Sequence, residues 1–197
     1  GTIYLKNWEY VKARGCFAKA IQRLTKDYTR PSDGEALYLQ GITLKALGLW
    51  EAAIDTLYRA TWDYAWHSAA YLELAGISCL RGEYAKGLEQ VEHSLSTNGR
   101  NNVALCLKAA LLRKTGRNAE AEKLAKEILL QDPLDFRAGL ELYLTSKSPV
   151  ALGELTRKMR DFDQNYLELA LSCLTDGFQE EGPGEGVDVD DGSAEEK

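Results

Sequence analysis

The chain has 197 residues, 45% hydrophobic and 27% charged, with 4 Pro and 17 Gly, enough to bury a sizeable core as one domain or an elongated repeat array. No apolar run approaches the roughly 18 residues of a membrane span, so a transmembrane helix is not expected. The net charge is −6, but the acidic stretch 180–197 accounts for −7, which leaves residues 1–179 at +1 and gives no reason to expect nucleic acid or a membrane as partner.

Position 1 is Gly and no apolar leader follows a basic start, so a piece of a longer polypeptide is expected. Tyr10, Ala13, Phe17 and Ala20 have the spacing of one helix face, with only a hint of a preceding helix at Thr2–Lys6. Pro31 predicts a break, and Ser32-Asp33-Gly34-Glu35 has the form of a capping box opening the next helix.

From there the chain repeats. Gly48, Gly82 and Gly116 are 34 residues apart, and each follows an apolar-periodic segment. Seven residues before each glycine stands a small residue (Gly41, Ala75, Ala109), and five after it another (Ala53, Gly87, Ala121). Leu37, Tyr71 and Leu105 fill the layer beside them. Small residues at those places let two antiparallel helices approach closely. Each glycine sits where a first helix must stop, because it accepts a left-handed backbone without a Cβ penalty.

The spacing therefore predicts helix, tight turn, helix in each unit, with Trp62, Tyr64, Trp66 and His67 in an inter-repeat loop. Beyond the third unit, a helix over Leu134–Ser146 is predicted, with Tyr143 in a slot where a small residue belongs. A short helix over Val150–Arg160 follows, and Tyr166–Ala170 repeats Tyr71–Ala75, opening a further unit that Gly177-Phe178 would turn. The division is a partial first repeat and loop over 1–33, three in-register units over 34–135, irregular helical units over 136–181, and an acidic glycine-rich tail over 182–197, for which disorder is expected.

The small, bulky and glycine residues at these intervals, with Asp132-Pro133 ending the third unit, resemble the tetratricopeptide repeat (TPR). The first two copies depart from it, having Ala65 and Gly99 in place of the proline. The resemblance implies an all-α, right-handed α-α superhelix of about five helix hairpins. More narrowly, Ala60–Tyr71 and the stretch from Leu107–Lys114 to Asp132–Phe136 are similar to the repeat region of large uncharacterised bacterial proteins. In those, a β-sandwich similar to galactose mutarotases precedes the repeats. That resemblance implies a carbohydrate-related multidomain protein in which these repeats are an accessory domain.

By analogy with the family, a partner-binding groove would be lined by the first helices, at Tyr38, Leu39, Ile42, Lys45, Leu72, Glu73, Gly76, Cys79, Cys106, Ala110, Arg113 and Lys114. The family's carboxylate clamp is absent. Tyr38 and Ile42, then Ala69 and Glu73, occupy its positions, and Glu73 would repel a carboxylate. What remains is a mostly apolar groove with a basic end at Arg113-Lys114. It suits a hydrophobic protein segment, or another domain of the same polypeptide, better than an acidic peptide. Trp62 and Trp66 are possible aromatic contacts, set against simple packing between repeats.

No catalytic constellation is found, so an enzyme is not expected. His67 lacks an evident nucleophile or carboxylate partner, and His93 lies among Glu89, Gln90 and Glu92 on a solvated face. Asp188–Gly192 fails as a calcium loop because Gly192 stands where an oxygen ligand is needed, and Gly182–Gly186 lacks phosphate-loop spacing. Cys16, Cys79, Cys106 and Cys173 are widely spaced, with no C-x-x-C pair and only two histidines, so neither a metal nor a cofactor is expected. Free thiols of this kind point to a reducing, cytoplasmic compartment.

Overall fold

The computed structural model describes residues 1–26, 31 and 33–176, with side chains given through residue 165. Ten helices follow in order, and no strand occurs among the described residues. They are α1 (Thr2–Lys6), α2 (Tyr10–Leu24), α3 (Glu35–Ala46), α4 (Trp50–Ala60), α5 (Tyr64–Leu80), α6 (Tyr84–Thr97), α7 (Asn102–Lys114), α8 (Asn118–Gln131), α9 (Phe136–Ser146) and α10 (Pro149–Asp176). The chain divides into two units, Gly1–Leu155 and Thr156–Lys197. The second is described as the continuation of α10, with an Arg157–Asp161 ion pair at 3.3 Å one turn apart. The acidic tail, the Gly177-Phe178 turn and most of the loop before Asp33 lie outside the described residues.

In the first unit the helices pack as sequential antiparallel hairpins. The three glycines end α3, α5 and α7 with φ of 72°, 75° and 82°. Each turn closes in the same way: the Leu49, Glu83 and Arg117 N–H groups donate to the Leu44, Ser78 and Leu112 carbonyls at 3.0, 2.8 and 2.8 Å. That left-handed cap satisfies the last carbonyls and leads straight into the next helix. The same bond forms at the first hairpin, where Glu9 N–H donates to the Tyr4 carbonyl at 2.9 Å. There, however, the left-handed position is Trp8, with φ 65°.

The small residues do what their spacing predicts. Ala53, Ala75, Ala109 and Ala121 are fully buried. A Cβ on Gly41 would stand 2.5 Å from Leu57, so α3 and α4 touch through a site that admits no side chain. Leu37, Leu57, Leu74 and Ile77 fill one core layer, and Leu88, Val91, Leu111 and Leu112 the next. Buried polar groups are paired: Ser78 Oγ donates to Gln90 Oε1 at 2.7 Å, and Gln90 Nε2 donates to Tyr58 OH at 2.9 Å.

Four sequence expectations are corrected. The cap of α3 lies at Gly34, two residues later than the box would place it: Asp33 Oδ1 accepts from Glu35 N–H at 2.6 Å, and Asp63 Oδ2 accepts from Gly34 N–H at 2.8 Å. The same Asp63 caps α5 through Ala65 N–H, one turn earlier than the matching caps Asn101 and Asp135 of α7 and α9. Tyr64, Trp66 and His67 are therefore on the extra first turn of α5 rather than in a loop, and only Trp62 remains in the turn.

At the other end, Asp135 accepts from Arg137 and Ala138 N–H, so α9 begins at Phe136 and leaves Leu134 outside it. Pro149 opens α10, which then runs unbroken to Asp176, past the end expected at Arg160. No Gly or Pro after Gly153 interrupts it. The Tyr143 anomaly also resolves. The close approach moves one turn back to Gly139, where a Cβ would stand 2.9 Å from Leu155 Cδ1. The left-handed residue moves with it, to Lys147 at φ 54°.

Candidate functional site

The first helices of the hairpins carry the residues named from the sequence, and their surroundings differ from one junction to the next. Tyr38 stacks on Trp66 with ring centroids 4.8 Å apart and packs against the core, joining α3 to the extra turn of α5. Leu72 also packs against the core. Leu39 lines a cleft of ≈ 250 Å³ with Phe17, Ala20, Leu24 and Ala36. Ile42 is half-buried. Trp62 is 41% exposed.

Cys106 lies in the core with Ile128 and Ala138, 6% exposed, its thiol facing Asp135 Oδ2 at 3.5 Å. Burial, reinforced by the Asp135 carboxylate, pushes that thiol up to about 12. Cys106 is thus withdrawn from any ligand, because Ile128 of α8 and Ala138 of α9 close over it. For Asp135 itself, burial would raise the carboxyl, but Arg137, the Ala138 N–H and the Cys106 thiol outweigh it and hold it below the ordinary value.

Ion pairs organise the rest of the face. Lys45 on α3 donates to Glu73 on α5 at 2.6 Å, and a Cβ on Gly76 would be 3.2 Å from the same ammonium. Arg113 on α7 makes a two-pronged contact with Glu141 on α9, Nε–H to Oε2 at 2.7 Å and Nη2–H to Oε1 at 3.0 Å. Both pairs join residues 28 positions apart. They occupy the same two places of the 34-residue repeat. Glu73 is therefore neutralised rather than a free repellent, and the expected basic end is half closed, since Arg113 is spoken for. The Glu141 hydrogen bonds hold the Arg113 guanidinium above its ordinary value, against its partial burial.

The pair that would complete this ladder, between α5 and α7, is Cys79 and Leu107. No ion pair is possible there. The two helices share one apolar core layer, through Ala75 and Leu111 among others, but approach each other less closely than α3 and α5 or α7 and α9. The result is a cleft of ≈ 270 Å³ lined by Cys79, Tyr84, Leu107, Ala110, Leu111, Arg113 and Lys114. Burial raises the Cys79 thiol, with Lys45 pulling the other way, so this wall is uncharged at neutral pH. Lys114 stands at the side of the cleft, its ammonium 5.7 Å from the centroid of the Tyr84 ring.

Four of the expected residues are thus brought together: Cys79, Ala110, Arg113 and Lys114. Leu107 and Glu141 were missed, although stepping forward from Glu73 by one and then two 34-residue periods names them. Tyr84 comes from α6, and only tertiary packing brings it to the cleft.

The remaining side chains offer packing rather than chemistry. His67 Nδ1–H donates to the Thr61 carbonyl at 2.8 Å, and the rings of His67 and His93 each lie 4.8 Å from that of Tyr71. Among the described residues no group of three His, Cys, Asp or Glu side chains could hold a metal ion, and no helix is long and apolar enough to cross a membrane.

No family model matches the sequence. Solved structures do resemble the fold. One is a crystal structure of MamA, 17% identical, with a TM-score of 0.64 over 85% of this chain and 94% of that one. Another is MamA from residue 41 to its end, from Desulfovibrio magneticus RS-1, 18% identical, with a TM-score of 0.59 over 81% and 93%. A third comprises the TPR-like repeats of a Podosopora anserina kinesin light chain protein, 15% identical, with a TM-score of 0.66 over 84% and 92%. Together with the glycine-turned hairpins, this likeness shows that the chain has the all-α superhelical fold of tetratricopeptide-like repeats.

Proposed function

We propose that this chain is a non-catalytic protein-binding module that takes an apolar segment of a partner, or of a companion domain of the same polypeptide, on the face of its first helices. The observation that carries this reading is the mostly apolar cleft between α5 and α7, with Arg113 and Lys114 at its edge, flanked on both sides by junctions closed with ion pairs. A preformed apolar recess on rigid helices gains affinity because little ordering is needed on binding. Its nearly neutral surroundings favour neither nucleic acid nor an anionic membrane. The free thiols of Cys16, Cys79 and Cys106 support a reducing, cytoplasmic location.

The test is heteronuclear NMR of the labelled protein titrated with short capped peptides carrying Leu or Phe in a Gly/Ser background. Shifts should concentrate at Cys79, Leu107 and Ala110. Ala110→Phe, which fills the recess, should weaken binding about tenfold with helix content unchanged. Binding that survives Ala110→Phe undiminished would overturn the reading.

A second reading has its own observation. On the first hairpin, Ile3, Trp8 and Val11 are all more than 70% exposed, the lowest being 74%. That edge suits packing of an accessory repeat domain on a β-sandwich, in a bacterial carbohydrate-related multidomain protein. A strand-rich domain encoded directly upstream would support it, and further helical repeats there would count against it.

A further inference from the structure

Resting on the reading of the α5–α7 cleft as an apolar recess, we propose that its occupant is a peptide segment in which a large apolar side chain enters the cleft while an adjoining acidic side chain pairs with Lys114. Charge complementarity selects this occupant. Of the two cations on the cleft wall, Arg113 already directs two donors at Glu141, at 2.7 and 3.0 Å. Lys114 has no carboxylate within 4.0 Å among the described residues; its ammonium lies over the Tyr84 ring instead. No acidic side chain lines the cleft.

An anchored segment therefore meets one uncompensated positive charge at the side of an otherwise apolar recess. A carboxylate there gains a charge-assisted hydrogen bond from an ammonium whose other neighbour, an aromatic face, does not compete as an acceptor of comparable strength. A basic residue at the same place would meet Lys114 with Arg113 behind it. The acid must adjoin the anchor in sequence, because Lys114 and the apolar wall belong to the same cleft. This is a different arrangement from a clamp on a chain-terminal carboxylate, and capped peptides separate the two.

Short peptides, acetylated and amidated so that no terminal carboxylate is present, would carry Phe followed by Asp, Asn or Lys in a Gly/Ser background. Fluorescence anisotropy with the wild-type chain should give the Asp peptide about threefold to fivefold tighter binding than the Asn peptide, and the Lys peptide the weakest. The advantage should fade in high salt. Lys114→Glu should reverse the order of Asp and Lys, and Lys114→Gln should level all three, with circular dichroism showing unchanged helix content. Equal affinities for the three peptides, or an order untouched by Lys114→Glu, would overturn the acidic-neighbour assignment while leaving the apolar recess standing. Failure of all three peptides to bind would remove the recess itself.

Discussion

The junctions α3–α5 and α7–α9 differ from α5–α7 at the same two repeat positions. In the first two, a cation near the end of one first helix reaches a glutamate in the middle of the next: Lys45 to Glu73 and Arg113 to Glu141. In the third, Cys79 and Leu107 stand there, and the space beside them opens as a cleft. A repeat array thus makes a local site by omission. Its backbone plan continues through all three junctions, and the change of two side chains decides whether the inner face is bridged or left as an apolar recess.

The comparison can be broken at its strongest point first. Glu141→Gln removes the charge opposite Arg113, where the side chains are only 21% and 11% exposed for Arg113 and Glu141. It should cost about 2 kcal/mol in chemical denaturation. Glu73→Gln should cost about 1 kcal/mol, because Lys45 and Glu73 are more open, at 29% and 25%, and the ammonium rehydrates more easily. Equal costs would show that burial does not rank the two pairs.

The reverse experiment writes the missing rung into the open junction. Cys79→Lys with Leu107→Glu should change stability by less than about 1 kcal/mol. It should nevertheless abolish binding of apolar peptides, read by the same titration as for the wild-type chain. Undisturbed binding would mean that the recess does not depend on the omitted pair.

The smallest expected effect concerns the turns. Three of the left-handed caps use glycine, whereas Trp8 adopts φ 65° with its side chain 78% exposed. A non-glycine residue there costs roughly 1–2 kcal/mol in backbone strain, of which glycine's extra freedom in the unfolded chain returns part. Trp8→Gly should therefore stabilise the chain by about 0.5 kcal/mol in thermal unfolding. A loss of stability would show instead that the Trp8 ring, 6.5 Å from that of Tyr10, contributes more than the strain it imposes.

Much of the fold was legible because its determinants are local and periodic. Glycine at Gly48, Gly82 and Gly116 fixes left-handed turns, and small residues at fixed offsets fix the approach of paired helices; neither needs a distant partner to be read. The same logic failed where a neighbouring repeat took over a local role. Asp63 anchors the start of α3 across 29 residues while capping its own helix one turn early, and this drew the aromatic cluster out of the expected loop. Gly139 replaced Tyr143 as the close-contact residue because Leu155 packs there.

For the candidate site the division is similar. The amino-acid sequence by itself determined that stacked hairpins would line up Lys45, Cys79 and Arg113 on one face, since a 34-residue period on helices repeats direction as well as spacing. Only the tertiary structure decided which of those groups remain available. Cys106 is buried against Asp135, Arg113 is held by Glu141, and Tyr84 arrives from another helix to complete the recess. The physical reason is that periodicity sets where a side chain points, whereas pairing and desolvation depend on what the next helix presents to it.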